Sequence, residues 1–224
     1  MKLTFYGGAK SVTGANYLLE HGGIKILVDC GLNQGSKYSE DMNYEKFVYD
    51  PAEINFVFIT HSHTDHVGRL PKLFKEGFRG RVIASKPTID LARKALPDNL
   101  NIITEEAKRD KREPIFELKD LDGVLGLAEG FDYEVPIDLG GGIKAVLHDA
   151  GHILGSTIVE IQWSLNFQFS IFKKYISLAI SAIRRLLCFR RLIFPKTLTM
   201  LLWNPPMVPE FMKIVPIGKL FWKM

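Results

Sequence analysis

Cysteine is scarce in this chain: two in 224 residues, Cys30 and Cys188. Two cysteines cannot build a disulfide scaffold, and such usage fits a reducing, cytoplasmic setting. The N-terminus, MKLTFYGG, lacks the apolar core of a signal peptide. Uninterrupted apolar runs are short as well. Lys173-Lys174, Arg184-Arg185 and Arg190-Arg191 cut the most apolar stretch, leaving nine residues between the first two pairs. A spanning helix needs about 20, so no transmembrane segment is expected.

Acid and glycine are missing from one end only. Residues 162–224 hold ten Lys/Arg against a single acid, Glu210, no aspartate, and one of the 19 glycines. The net charge of +4 therefore hides two opposed parts, −5 over residues 1–161 and +9 over residues 162–224. A domain and its own C-terminal elements rarely differ so sharply, and the two parts are read separately. With 46% hydrophobic and 24% charged residues the chain has a globular composition, and its length suits one domain.

The first part alternates strand and helix patterns. Residues 2–6, 16–20 and 24–28 read as strands separated by Gly7-Gly8 and His21-Gly22-Gly23. Residues 54–60 (INFVFIT) are nearly continuous β-formers, as suits a strand buried on both faces. Residues 67–77 are helical in pattern with Gly77 as C-cap, 81–84 a strand, 87–95 a helix, and 101–130 a mixed helical stretch opening at Thr104. Residues 133–139 and 143–147 flank Gly140-Gly141-Gly142 as a hairpin, and 157–161 is a strand. Strands alternating with helices indicate α/β or α+β architecture.

The residues that carry chemistry follow the 54–60 strand directly: His61-Ser62-His63-Thr64-Asp65-His66. Extended chain places side chains two apart on one side, so His61 and His63 can share an ion. Asp65 and His66 come as the chain turns into a helix and can aim at a second point nearby. Imidazole nitrogen and carboxylate oxygen are the ligands zinc accepts at catalytic sites. The competing reading, a metal-free His-rich loop, is disfavoured by four such groups within six residues at a strand end. The other candidates read blandly: His148 as a packed or edge histidine, His21 as an exposed turn residue, and Cys30 as a small buried residue.

HSHTDH resembles the HxHxDH signature of the metallo-β-lactamase fold. The stretches Gly7-Gly8 with Val12-Thr13-Gly14, Leu27-Val28-Asp29-Cys30-Gly31, Asp50-Pro51-Ala52-Glu53-Ile54, Arg69-Leu70-Pro71-Lys72-Leu73 and Asp149–Ser156 resemble, in order, its β-CASP branch of RNA-processing nucleases. The resemblance implies the first part of an αββα sandwich, with a partial second sheet. It implies His61, His63 and His152 as ligands of one zinc, and Asp65 and His66 as ligands of a second. Asp29 is implied as the buried aspartate that supports the ligand loop, and Asp65 also as a handler of the proton. The implied activity is two-zinc hydrolysis of RNA phosphodiesters, with RNA as partner.

The family's bridging aspartate, in a strand ending FSGDLG, and its later ESTYG motif are absent as written. Taking the last base of each tail codon with the first two of the next restores both in one phase. Trp203-Asn204 forces Glu, Met207-Val208 forces Gly, and the residues between permit Ser, Thr and Tyr. Residues 176–183 permit FSGDLGN. Residues 162–224 are therefore expected to be an out-of-frame tail with no domain of its own and no reason to complete the sheet. An interfacial basic helix or a basic RNA-binding arm are the alternatives. Lacking the bridge, the chain is expected to hold one zinc or fewer tightly, with weak or no activity. A thioester or ester hydrolase of the same fold, or an inactive zinc-binding remnant, are the other functional readings.

Overall fold

A computed structural model describes residues 2–9, 11–164, 175–181 and 198–203. The first sheet contains β1 (Lys2–Gly7), β2 (Asn16–His21), β3 (Ile24–Val28), β4 (Phe56–Phe58), β5 (Arg81–Ser85) and β6 (Ala128–Phe131), in that spatial order. The first three strands pair antiparallel, and β3 through β6 run parallel. The second sheet contains β7 (Ile137–Gly140), β8 (Ile143–Asp149), β9 (Thr157–Ser164), β10 (Tyr175–Ser181) and β11 (Leu198–Trp203), ordered β11-β10-β9-β8-β7. The helices are α1 (Lys37–Asp41), α2 (Thr64–Val67), α3 (Leu70–Lys75), α4 (Lys86–Arg109) and α5 (Leu118–Gly126).

Strand periodicity divides the interior into two cores. Tyr17, Leu19, Ile26, Val28, Phe58 and Ile83 face the second sheet and meet Ile143, Ala145, Leu147, Val159, Ile161 and Trp163. The alternate residues Leu18, Leu27, Val57, Val82 and Ala84 face the helices and meet Leu70, Leu73, Leu96, Leu121 and Val124. A strand filled on both faces must be apolar at successive positions, which is what 54–60 displays. The regular strand there is nonetheless short, because Pro51–Glu53 form a 3-10 turn before it and the site loop begins just after it.

Four expectations about the fold are corrected. The 67–77 pattern is two helices, broken around Arg69 because Pro71 sits in the first turn of α3 and cannot continue the α2 hydrogen bonding. Helix α4 runs unbroken from 86 to 109 through Pro97, rather than as one helix to 95 and another from 104. Burial of Thr88, Ile89, Ala92, Leu96, Ile103 and Ala107 along one face outweighs the hydrogen bond that proline removes. Strand β6 lies inside the stretch read as helical.

The fourth concerns the C-terminal part. The second sheet does not stop at residue 161: β9 reaches Ser164, β10 pairs antiparallel with it, and β11 pairs parallel with β10. YISLAIS (Tyr175, Ile176, Ile180) and LTMLLW (Thr199, Trp203) each contain residues that favour strands, and β9 offers an open row of backbone groups to pair with.

Candidate metal centre

The site lies where β3, β4 and β5 end and the β8–β9 loop crosses over them. Asp29 follows β3 with φ +60, a left-handed conformation uncommon outside glycine. It is held there by what its carboxylate receives. Thr60 donates its backbone N–H to Oδ1 (2.8 Å) and its hydroxyl to Oδ2 (2.8 Å), and His66 donates Nδ1–H to Oδ2 (2.7 Å).

These bonds also settle ring tautomers. His66, with its proton on Nδ1, turns Nε2 outward, 3.5 Å from Asp65 Oδ2. The single Thr60 hydroxyl proton goes to Asp29, so Thr60 Oγ1 accepts from His61 Nδ1, 3.1 Å away. His61 Nε2 is then a bare lone pair, and it lies 3.0 Å from His63 Nδ1. Asp29 thus orients one imidazole directly and another through Thr60, the outer-partner arrangement typical of ligating histidines.

Backbone bonds fix the loop carrying these rings. Ala15 N–H donates to Asp65 O (3.0 Å), Cys30 N–H to His66 O (2.8 Å) and Leu32 N–H to Thr64 O (3.0 Å). The Asp65 carbonyl approaches Gly31 so closely that a Cβ on residue 31 would overlap it. Arg69, buried, donates Nε–H to Gly31 O (2.5 Å).

His152 arrives from the second sheet. Its loop is closed by Ser156, whose Oγ accepts from the N–H of His152 (3.0 Å) and of Ile153 (3.2 Å). Thr157 N–H reaches Thr60 O at 2.7 Å, joining the two loops directly. The His152 ring centroid lies 4.9 Å from that of His61 and 5.2 Å from that of His63. Ligand atoms of His61, His63 and His152 all fall within 4.8 Å of one another, and among the described residues this is the group with the geometry to hold an ion. Asp65 and His66 stand beside it, the His66 ring 4.0 Å from that of His61.

The donor set fits a zinc ion. Burial, reinforced by His66, His63 and His152, pushes the His61 pKa down to about 2, so this ring is neutral and free to ligate. A tetrahedral ion with Zn–N near 2.0–2.1 Å wants ligand nitrogens about 3.3 Å apart, close to the His61–His63 separation. Burial opposes charge on His66 too, but Asp29 and then Asp65 outweigh it and raise its pKa. The same negative charge favours any cation placed there.

The remaining candidates lie elsewhere. His148 points away from the site and is bracketed by Glu160 Oε2 (2.7 Å) and Glu134 Oε1 (2.9 Å). His21 is half-buried against Trp163, at 5.3 Å between ring centroids, rather than exposed, because β2 continues through it and brings it over the second sheet. Cys30 is fully buried, and burial drives its thiol up to about 12. Sequence reasoning missed Thr60, Ser156 and Thr157. Thr60 adjoins the motif and could have been suspected, whereas Ser156 matters through the turn it closes onto the His152 and Ile153 N–H groups, and Thr157 through its bond across the sheets to Thr60 O.

The metallo-beta-lactamase superfamily domain profile matches residues 18–171. Ribonuclease TTHA0252 of Thermus thermophilus is 39% identical over 162 residues, covering 72% of this chain and 35% of that protein. The transcription termination factors FttA of Methanosarcina mazei and Methanocaldococcus jannaschii are 37% and 31% identical over 163 and 161 residues. The chain spans about a third of the ribonuclease and about a quarter of these factors. With two sheets packed face to face, a histidine cluster at their shared end and this similarity, the chain belongs to the metallo-beta-lactamase superfamily, as a β-CASP-type domain.

Proposed function

We propose that this chain carries the metal-ion half of a cytoplasmic ribonuclease that hydrolyses RNA phosphodiesters. The observation that carries this is the convergence of His61, His63 and His152 from two sheets, with Asp65 and His66 alongside, in a chain 39% identical to a named ribonuclease. His61, His63 and His152 would hold one zinc, and Asp65 and His66 would offer ligands to a second. When bound, such ions supply a nucleophile at neutral pH and stabilise charge on phosphate oxygens. Asp29 keeps His66 and, through Thr60, His61 in the ligating tautomer. Asp65, partly exposed beside His66, would take a proton from an attacking water. Among the described residues no helix is long and apolar enough to cross a membrane.

The test is zinc content together with cleavage of a structured RNA by the purified chain, set beside a thioester panel. Zinc-dependent RNA cleavage supports the reading. Thioester turnover without RNA cleavage overturns it in favour of another hydrolase of this fold. One zinc or none, with no turnover of either substrate, favours a zinc-binding remnant.

The charge break at residue 162 and the restored motifs support reading residues 162–224 as out-of-frame text. Sequencing the encoding DNA across codons 155–230 decides this. A gained or lost base that brings both motifs into frame supports it, and an intact frame overturns it.

A further inference from the structure

Helix α4 touches both loops of the candidate metal centre, through groups that neither capping nor packing requires. Its N-cap, Ser85, accepts from Thr88 N–H, which satisfies the helix start. A cap needs no more than this, yet Ser85 and Thr88 are both buried and both donate their hydroxyl protons to one carbonyl, Gly155 O, at 2.6 and 2.7 Å. Gly155 has φ +82, and a Cβ there would run into Thr88 N and both hydroxyls. The helix start and the His152 loop are thus built for close approach. Gly155 is three residues from His152, inside the turn that Ser156 closes.

Eleven residues further along the same helix, about 16 Å at 1.5 Å per residue, Asn99 reaches the other loop. Its Nδ2 donates to Thr64 Oγ1 at 3.0 Å. Thr64 lies between His63 and Asp65, and opens α2. One rigid element therefore grips the loop of His152 at its start and the loop of His63 and Asp65 along its length.

We propose that α4 is a brace that sets the His152 loop in register with the His61–His66 loop, with Ser85, Thr88 and Asn99 as positioning residues. This rests on reading the site as a metal centre. The brace adds to the direct link between the two loops, Thr157 N–H to Thr60 O at 2.7 Å. His152 comes from a different sheet from the other candidate ligands, so a shift of its loop relative to theirs would separate it from His61 and His63.

The test uses the full chain as Thr88→Val, Thr88→Ser, the Ser85→Ala/Thr88→Val pair and Asn99→Ala. Cobalt(II) titration followed by visible absorption reads ligand geometry, thermal unfolding without metal reads stability, and hydrogen exchange reads the amides of His152 and Ser156. The brace predicts cobalt affinity lower by about 10-fold or more for the pair, within the range for outer partners of ligands. It also predicts an altered absorption band, recovery in Thr88→Ser, and a loss of a few-fold in Asn99→Ala. If the pair does not fold, Thr88→Val carries the test.

Lower stability with unchanged cobalt affinity and band would overturn the inference and leave these groups a purely structural part. If the wild-type chain binds no cobalt, the metal reading fails by itself, and hydrogen exchange then decides the brace. Faster exchange at His152 and Ser156 in Thr88→Val supports it, and equal exchange overturns it.

Discussion

The two sheets hold their shares of the site by different means. The first sheet delivers Asp29, His61, His63, Asp65 and His66 on two adjacent connections, fastened by Asp29 hydrogen bonds and by a carbonyl packed onto Gly31. The second delivers His152 alone, on a loop closed by one serine and held from outside by two hydroxyls of α4 and by Thr157. The first arrangement is over-determined by neighbours in the same sheet, whereas the second depends on contacts across the molecule. A metal site assembled in this way would lose its shape first at the His152 loop.

The sharpest way to break that contrast is at Gly31. Gly31→Ala is expected to cost about 3 kcal/mol or more, because the Cβ overlaps backbone rather than a side chain that could move. Chemical denaturation of the metal-free chain measures it. Next comes Asp29→Ala, which strands the Thr60 N–H in the core and frees His66. We expect a loss of about 3 kcal/mol and a drop in zinc affinity of about 10- to 100-fold, read by unfolding and by competition with a chelator.

On the second-sheet side the order of effects reverses. His152→Ala should leave metal-free stability within about 1 kcal/mol, while lowering zinc affinity beyond the roughly 100-fold reach of an outer partner. Equal zinc affinity in His152→Ala and wild type would sink the three-histidine reading. Gly155→Ala, strained by its φ of +82 and crowded by Thr88, should cost about 1–2 kcal/mol, less than Gly31→Ala. A larger cost at Gly155 than at Gly31 would invert the comparison.

The smallest effect belongs to His148, outside the site. Hydrogen bonds donated to Glu160 and Glu134, with burial opposing, raise its pKa above the ordinary imidazole value of 6.5. A histidine with a raised folded pKa contributes its full stabilisation below the unfolded value and loses it as pH rises through the folded one. His148→Gln should therefore cost most between about pH 5 and 6, by about 1 kcal/mol or less, and progressively less above. A cost that grows with pH would show that this histidine is neutral in the fold.

Much of the fold was legible because strand burial writes itself into the sequence. The near-continuous β-formers of 54–60 reported a strand filled on both faces, and the glycine triplet at 140–142 reported the β7–β8 hairpin, where all three residues have positive φ. Helix α4 was misread because local rules weigh Pro97 heavily and have no access to the buried face on either side of it. The half-buried setting of His21 was missed for a related reason: the packing of Trp163 beside it belongs to a strand about 140 positions away.

By itself the sequence determined the local half of the centre. Four ligand-type side chains within six residues, placed where a strand ends, converge by the geometry of extended chain turning into helix, whatever the rest of the molecule does. The aspartate after β3 was legible only through resemblance, and its work became visible in its bonds to Thr60 and His66. The tertiary structure alone decided the rest: which ring nitrogens are bare, that Thr60 relays Asp29 to His61, and that His152 meets its partners through Ser156, Thr157 and the hydroxyls of α4. Those outcomes depend on distances between chain segments up to about a hundred residues apart, and only the packing of one sheet on the other fixes such distances.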